Sequence, residues 1–227
     1  MHQRIRHSIP SFFTLINLSC GFMAILIADF HKSSILLLIS LLCDSLDGFA
    51  ARKLNATSEM GKELDSLADL TSFGIAPAYL YFMIADHSSI WHYIAPLLIV
   101  IGSALRLAKF NLMPPSKFFS GLPTPATALF LIGMFLAHHY GSSLVNDCLQ
   151  NTLVYIFIPA FLCLMMISRL QMFSLKSLDK NMAKNKFHLA LIFVFIILLL
   201  IDNLTAPSIT VLVYILLSAV QTFIKRG

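Results

Sequence analysis

The chain has 227 residues, 58% of them hydrophobic and only 12% charged, with a mean hydropathy of +0.81. A soluble domain of that composition would expose large apolar patches to water, so the chain is read as an integral membrane protein. Its net charge of +5 does not point to nucleic acid, because 16 Lys and Arg against 11 acids is the ordinary signature of cytoplasmic loops in a membrane chain.

Apolar runs recur from Pro10 to Phe223 with brief polar gaps, which leaves no room for a large soluble domain; residues 1–227 are read as one membrane domain. A bilayer core about 30 Å thick takes roughly 20 helical residues, and lipid offers no partners to backbone polar groups, so such runs predict an all-α bundle. Eight spans are expected, at 10–29, 33–52, 65–85, 90–110, 123–140, 150–170, 187–202 and 206–223. The first follows Arg4 and Arg6 and is longer than the ~7–15 residues of a secretory apolar core, so it is read as uncleaved. Trp91 and Tyr93, opening the fourth span, read as interfacial anchors. His138 and His139, closing the fifth, could bind metal but read more simply as solvated imidazoles.

Cys20, Cys43, Cys148 and Cys163 are too scattered for a zinc site or a disulfide framework. The basic stretch from Lys176 to Lys186 reads as a positive-inside loop, with an anionic-lipid site as the sharper alternative. With eight spans, fifteen of the 16 basic residues fall on the side holding both termini and Lys32 alone lies opposite, which places both termini in the cytoplasm.

Ionisable residues inside spans are costly, and a cluster of them is a functional hypothesis. Six of the 11 acids lie between Asp44 and Asp69, with only Arg52, Lys53 and Lys62 to offset them. Asp44 and Asp47 are three apart on the second span, Asp65 and Asp69 four apart on the third, so each pair shares a helix face. A connection of about twelve residues would bring the four carboxylates to one depth near the cytoplasmic helix ends. Their mutual repulsion calls for bound cations, and all-oxygen ligands favour Mg²⁺ or Mn²⁺, with Ca²⁺ as competitor. Gly48 and Ala51, one turn beyond Asp44 and Asp47, extend that face without bulk, so that a nucleotide or diphosphate can approach. The plainer alternative is helix capping and ion pairing with Arg52, Lys53 and Lys62.

The pattern Asp44-x-x-Asp47-Gly48-x-x-Ala51-Arg52, eight residues, Gly61, three residues, Asp65, three residues, Asp69 resembles the CDP-alcohol phosphotransferase family. The resemblance implies a reaction in which an alcohol hydroxyl displaces CMP from a CDP-linked donor. It carries over Asp44, Asp47, Asp65 and Asp69 as metal ligands and Asp69 as proton acceptor. Gly48, Arg52 and the Ser58 hydroxyl become donor contacts, with Ala51 and Gly61 completing the donor-binding motif. The stretches Leu64–Ala78, Leu105–Asn111 and Gly121–Ala126 resemble the branch whose acceptor is serine, although Lys109 stands where Arg is commoner. The expected reaction therefore joins CDP-diacylglycerol and L-serine.

Serine needs a cation or helix N-terminus for its carboxylate. Arg106 is assigned to it, with Lys109 and Thr124, at the start of the fifth span, beside it. The expected setting is the bacterial cytoplasmic membrane, with the site facing the cytoplasm, membrane lipid as a partner and a homodimer allowed. The rival readings are another acceptor (glycerol 3-phosphate, inositol phosphate or choline) and, from a different class, a divalent-cation transporter.

Overall fold

The computed structural model describes residues 2–54, 56, 58–85, 88–112, 119–172 and 186–226. Lys117 and most of the basic stretch beginning at Lys176 lie outside the described residues. Helices α1 (His2–Ile27) and α2 (Phe30–Lys53) form a hairpin. At its turn Ala28 adopts a left-handed φ of 51°, and Asp29 caps α2 by accepting the Lys32 amide at 2.8 Å. That hydrogen bond holds the Asp29 carboxyl below the ordinary carboxylate range. Serines join the two helices: Ser33 Oγ donates to the Ala24 carbonyl at 2.7 Å and Ser40 Oγ to the Asn17 carbonyl at 2.8 Å. In an apolar setting such small residues both permit close approach and supply directional contacts.

The third helical run is longer than hydropathy alone predicts, and it is not uniform. It opens with α3 (Glu59–Asp69), passes through a π-helical segment at Leu70–Ile75, and continues as α4 (Ala76–Ile84). The start lies six residues before the expected 65 because Ser58 caps the helix, accepting the Gly61 amide at 3.0 Å, and a turn holding Glu59, Lys62 and Glu63 carries it beyond the apolar stretch. The connection from α2 is correspondingly five residues rather than about twelve. Pro77, lacking an amide hydrogen, follows the π segment, where a wider turn accommodates the missing donor.

Helix α5 (Trp91–Leu112) packs against α8 (Thr152–Ile167), and α6 (Thr124–His139) against α2 and α10 (Ala206–Arg226). Between α6 and α8 lies a short helix, α7 (Ser143–Gln150), where a loop was expected; it is bent by 108° from α6. His138 Nδ1 lies 2.6 Å from Asn146 Oδ1 across that bend, while His139 stacks on His31, so the two adjacent imidazoles have different partners. Two-residue strands β1 (Phe119–Ser120) and β2 (Gln171–Met172) pair antiparallel and tie the approach to α6 to the exit from α8. Gly121 beside them has φ of 81°, and a Cβ there would meet the Met166 carbonyl at 2.2 Å, so only glycine fits. Helix α9 (Lys186–Ile201) packs on α10.

Leu37, Leu80, Tyr81, Ile99, Leu131, Phe135, Tyr155 and Leu162 form the fully buried core, whereas Phe12, Leu42, Phe49, Leu97, Phe157 and Leu164 are exposed. That outward apolar surface is what a lipid-facing bundle requires. Four described helical stretches are long and apolar enough to cross a bilayer: Ile9–Ile27, Phe30–Lys53, Glu59–Ile84 and Trp91–Leu112. The bent pair α6 and α7 makes a fifth if taken as one span, and Thr152–Ile167, Ala190–Ile201 and Ala206–Thr222 are shorter apolar helices.

Candidate active site

The acidic cluster sits where α1, α2 and α3 meet. Asp44 and Asp47 lie nine and six residues before the end of α2, and Asp65 six residues into α3. At 1.5 Å per residue this sets the carboxylates roughly 9–14 Å inside the helix ends. Asp44, Asp47 and Asp65 each offer an oxygen within 4.8 Å of the others, and among the described residues they are the one group of three or more metal-capable side chains so arranged. A trio of hard carboxylate oxygens at that separation fits a divalent cation such as Mg²⁺ or Mn²⁺. Asp69 stands outside the trio but within electrostatic reach of all three, and is only 7% exposed.

Two of these acids are held by a helix whose contribution the spacing of the acids does not disclose. Thr14 and Asn17, three apart on α1, face the cluster. Thr14 Oγ1 lies 2.9 Å from Asp47 Oδ2 and 3.1 Å from the Pro10 carbonyl, so its single proton has two acceptors to choose between. The ionised carboxylate is the stronger one. Asn17 Nδ2 donates to Asp69 Oδ1 at 3.2 Å. The Asn17 backbone carbonyl accepts both Ser40 Oγ and Ser72 Oγ, each at 2.8 Å, which locks α1 to α2 and to the π segment at that level. Gly21, one turn further along α1, allows this approach: a Cβ there would lie 2.2 Å from Ser72 Oγ and 2.6 Å from Ser72 Cα. The signal in the sequence was two polar residues at helical spacing within an apolar run, a combination that calls for a partner inside the protein.

Of the motif residues assigned to the donor, Gly48 and Ala51 are half-buried on α2, and Arg52 is exposed near its end. Ser58 and Gly61 are in direct contact, since the Ser58 oxygen accepts the Gly61 amide; the Ser58 hydroxyl proton is the part left for a ligand. The cations near the acids do not all serve as their counter-charges. Lys62 Nζ donates to the Asn111 carbonyl at 2.8 Å, Asn111 Nδ2 donates to Ser66 Oγ at 2.9 Å, and Lys53 lies over the Phe49 ring. Lys62, Ser66 and Asn111 thus fasten α3 to the end of α5.

Of the residues assigned to the acceptor, Arg106 and Thr124 are brought together. Arg106 Nη1 approaches Thr124 Oγ1 at 3.5 Å, and the guanidinium lies 5.8 Å from the centre of the Phe110 ring. Arg106 is within electrostatic reach of Asp69, Tyr214 and Asp44, and its Nε is buried without a hydrogen-bond partner. Thr124 is fully buried at the first turn of α6. Lys109 is half-buried on α5, three residues from Arg106. The ensemble is a carboxylate trio able to hold a cation, a nearly buried fourth carboxylate supported by an amide, and a guanidinium within electrostatic reach of that carboxylate. Such a set can position a diphosphate, accept a proton and bind a second anionic group.

Comparison with known proteins agrees with this chemistry. The chain is similar to a CDP-diacylglycerol--serine O-phosphatidyltransferase of Methanocaldococcus jannaschii, 38% identical over 151 residues that span 66% of this chain and 68% of the relative. It is similar to a protein of the same name from Bacillus subtilis, 39% identical over 55% of this chain and 73% of the relative. An archaetidylserine synthase of Methanothermobacter thermautotrophicus is 36% identical over 59% of this chain and 60% of its own length. The family model described as CDP-alcohol phosphatidyltransferase matches residues 7–159, a stretch that holds most of α1, every acidic motif residue, Arg106 and Thr124. With that match over two thirds of its length, the chain belongs to the CDP-alcohol phosphatidyltransferase family.

Proposed function

We propose that the chain transfers the phosphatidyl group of CDP-diacylglycerol to L-serine, giving phosphatidylserine and CMP. The observation that carries the reading is the convergence of Asp44, Asp47 and Asp65 beside a buried, amide-supported Asp69. The names of the relatives supply the donor and the acceptor.

In this reading Asp44, Asp47 and Asp65, with Asp69 beside them, hold a divalent cation. A bound cation would neutralise charge on the diphosphate and fix the line of attack. Gly48 and Ala51 leave room for the nucleotide along α2, and Arg52, Ser58 and Gly61 contact it from the α2–α3 connection. Arg106, with Lys109 and Thr124 beside it, takes the serine carboxylate; the unpartnered Nε supports that role, because a buried donor without an acceptor is costly until a ligand supplies one. The serine oxygen forms a bond to the diacylglycerol-side phosphorus, the bond from that phosphorus to the CMP oxygen breaks, and the hydroxyl proton passes to Asp69. Asn17 occupies one oxygen of Asp69 and leaves the other to receive it.

The same reading places the site at the cytoplasmic face of a bacterial inner membrane, in one domain of eight spans with both termini inside, supported by the lopsided distribution of the basic residues. A homodimer belongs to it, to be tested by light scattering of the purified protein. The deciding assay incubates purified protein with CDP-diacylglycerol, labelled L-serine and Mg²⁺ or Mn²⁺, and identifies the lipid product. Parallel reactions offer glycerol 3-phosphate, inositol phosphate or choline. Phosphatidylserine with equimolar CMP is expected; CMP release with another alcohol and not with serine would reassign the acceptor, and cation flux across vesicles without CMP release would reassign the class.

A further inference from the structure

Two residues that interact with Asp69 each carry a buried polar atom without a hydrogen-bond partner: Asn17 Oδ1 and Arg106 Nε. Such groups are uncommon in native interiors, because each forfeits its hydration and gains nothing in return. They are of opposite kind. An amide oxygen only accepts, and a guanidinium nitrogen only donates.

Both belong to residues that address Asp69, one by a 3.2 Å hydrogen bond from Nδ2 and the other through its charge. The planar amide places Oδ1 next to Nδ2, so that oxygen lies beside the same carboxylate. It cannot bond to the carboxylate itself, since both are acceptors. What fits there is a donor, and one carrying positive charge gains from the neighbouring acid. Asn17 is fully buried and its backbone carbonyl is fastened by Ser40 and Ser72, so the amide is held in place before any ligand arrives.

We propose that Asn17 reads the ammonium group of the acceptor through Oδ1, so that an amino acid is held as a zwitterion between Asn17 and Arg106 with its hydroxyl presented to Asp69. This rests on the reading that the acceptor is serine, and adds the residue that selects for its amino group. The rival acceptors lack the feature being read: glycerol 3-phosphate and inositol phosphate carry no cationic donor, and choline's quaternary nitrogen has no N–H.

The test uses the full-length chain in lipid nanodiscs containing CDP-diacylglycerol, and compares L-serine with 3-hydroxypropionate, which keeps the carboxylate and the hydroxyl but lacks the ammonium. A hydrogen bond to a charged group corresponds to roughly a 10- to 100-fold preference, so the wild-type protein should favour serine in kcat/KM by about that factor. Asn17→Ala should slow both acceptors, through loss of support to Asp69, and also shrink the preference to about threefold or less. Asn17→Asp, which retains an oxygen and loses the amide donor, should lower kcat while keeping the preference. If Asn17→Ala leaves the ratio unchanged, Asn17 acts only on Asp69 and the proposal is wrong.

A second measurement does not depend on any variant folding. L-alanine should compete with serine on the wild-type protein at concentrations at least about tenfold below those needed for propionate; equal inhibition by the two would also overturn the proposal. Failure of the broader reading looks different, since then serine yields no lipid product at all.

Discussion

Gly21→Ala tests whether the active site depends on the close seating of α1 against the π segment. In an unconstrained helix interior the change should stabilise by about 0.5–1 kcal/mol, since alanine is the better helix former. Here the added Cβ would stand 2.6 Å from Ser72 Cα and 2.8 Å from its Cβ, and neither atom can rotate away. Carbon contacts relax near 3.5–4.0 Å, so the two backbones must part by roughly 1 Å. Overpacking of this kind costs about 1–3 kcal/mol, and stretching the 2.8 Å bond from Ser72 Oγ to the Asn17 carbonyl adds about 0.5–1.5 kcal/mol. The helix gain is outweighed by a net cost of about 0.5–4 kcal/mol, and for a chain of this size the midpoint of thermal unfolding should fall by roughly 1–16 °C.

The same shift carries Thr14 and Asn17 away from Asp47 and Asp69, and a displacement near 1 Å in a catalytic constellation costs on the order of 10²-fold in rate. Thermal unfolding in nanodiscs and CMP release under saturating substrates measure the two effects. Ser72→Ala removes only Oγ and leaves the clash with Ser72 Cα, so it should not rescue Gly21→Ala. A Gly21→Ala protein with wild-type midpoint and wild-type turnover would refute the reasoning, because the helices would then have an approach other than the one described.

Three further outcomes are expected. Asp69→Asn should lower kcat by about 10²–10⁴-fold while CDP-diacylglycerol binding persists, as measured by turnover and by nucleotide-displacement binding; near-normal turnover would remove the proton-acceptor assignment. Thr14→Val keeps the volume and removes the hydroxyl that faces Asp47 Oδ2, so the Mg²⁺ or Mn²⁺ concentration for half-maximal activity should rise by about 10- to 100-fold, the effect expected of a group that orients a metal ligand. Stripping divalent cations with a chelator should abolish turnover, and back-titration with Mg²⁺ or Mn²⁺ should restore it; full activity in chelator would leave the Asp44, Asp47 and Asp65 trio without its assigned role.

Much of this protein was legible in its residues alone. Apolar composition prescribes helices in lipid, because no other local structure satisfies the backbone there, and the helical runs fall near the expected positions. The spacings of Asp44 with Asp47 and of Asp65 with Asp69 put each pair on one face, because helical periodicity is a local property, and the motif around them identified the family. Other features depended on what lies across the bundle. Hydropathy starts the third span where the apolar stretch starts, whereas the Ser58 cap and the largely polar turn that follows begin α3 at Glu59. The sharp fold-back of α7 and the π segment before Pro77 answer to packing and to one missing amide, and neither leaves a periodic trace.

The largest contribution of the tertiary structure is α1. Thr14 and Asn17 lie 33 and 52 residues from the acids they hold, and no local pattern says which buried carboxylate a polar side chain will meet. The division of the four acids into a trio and a separate Asp69 likewise comes from how α1, α2 and α3 pack. Covalent spacing determines which side chains share a face; only the packing of distant faces determines which of them touch.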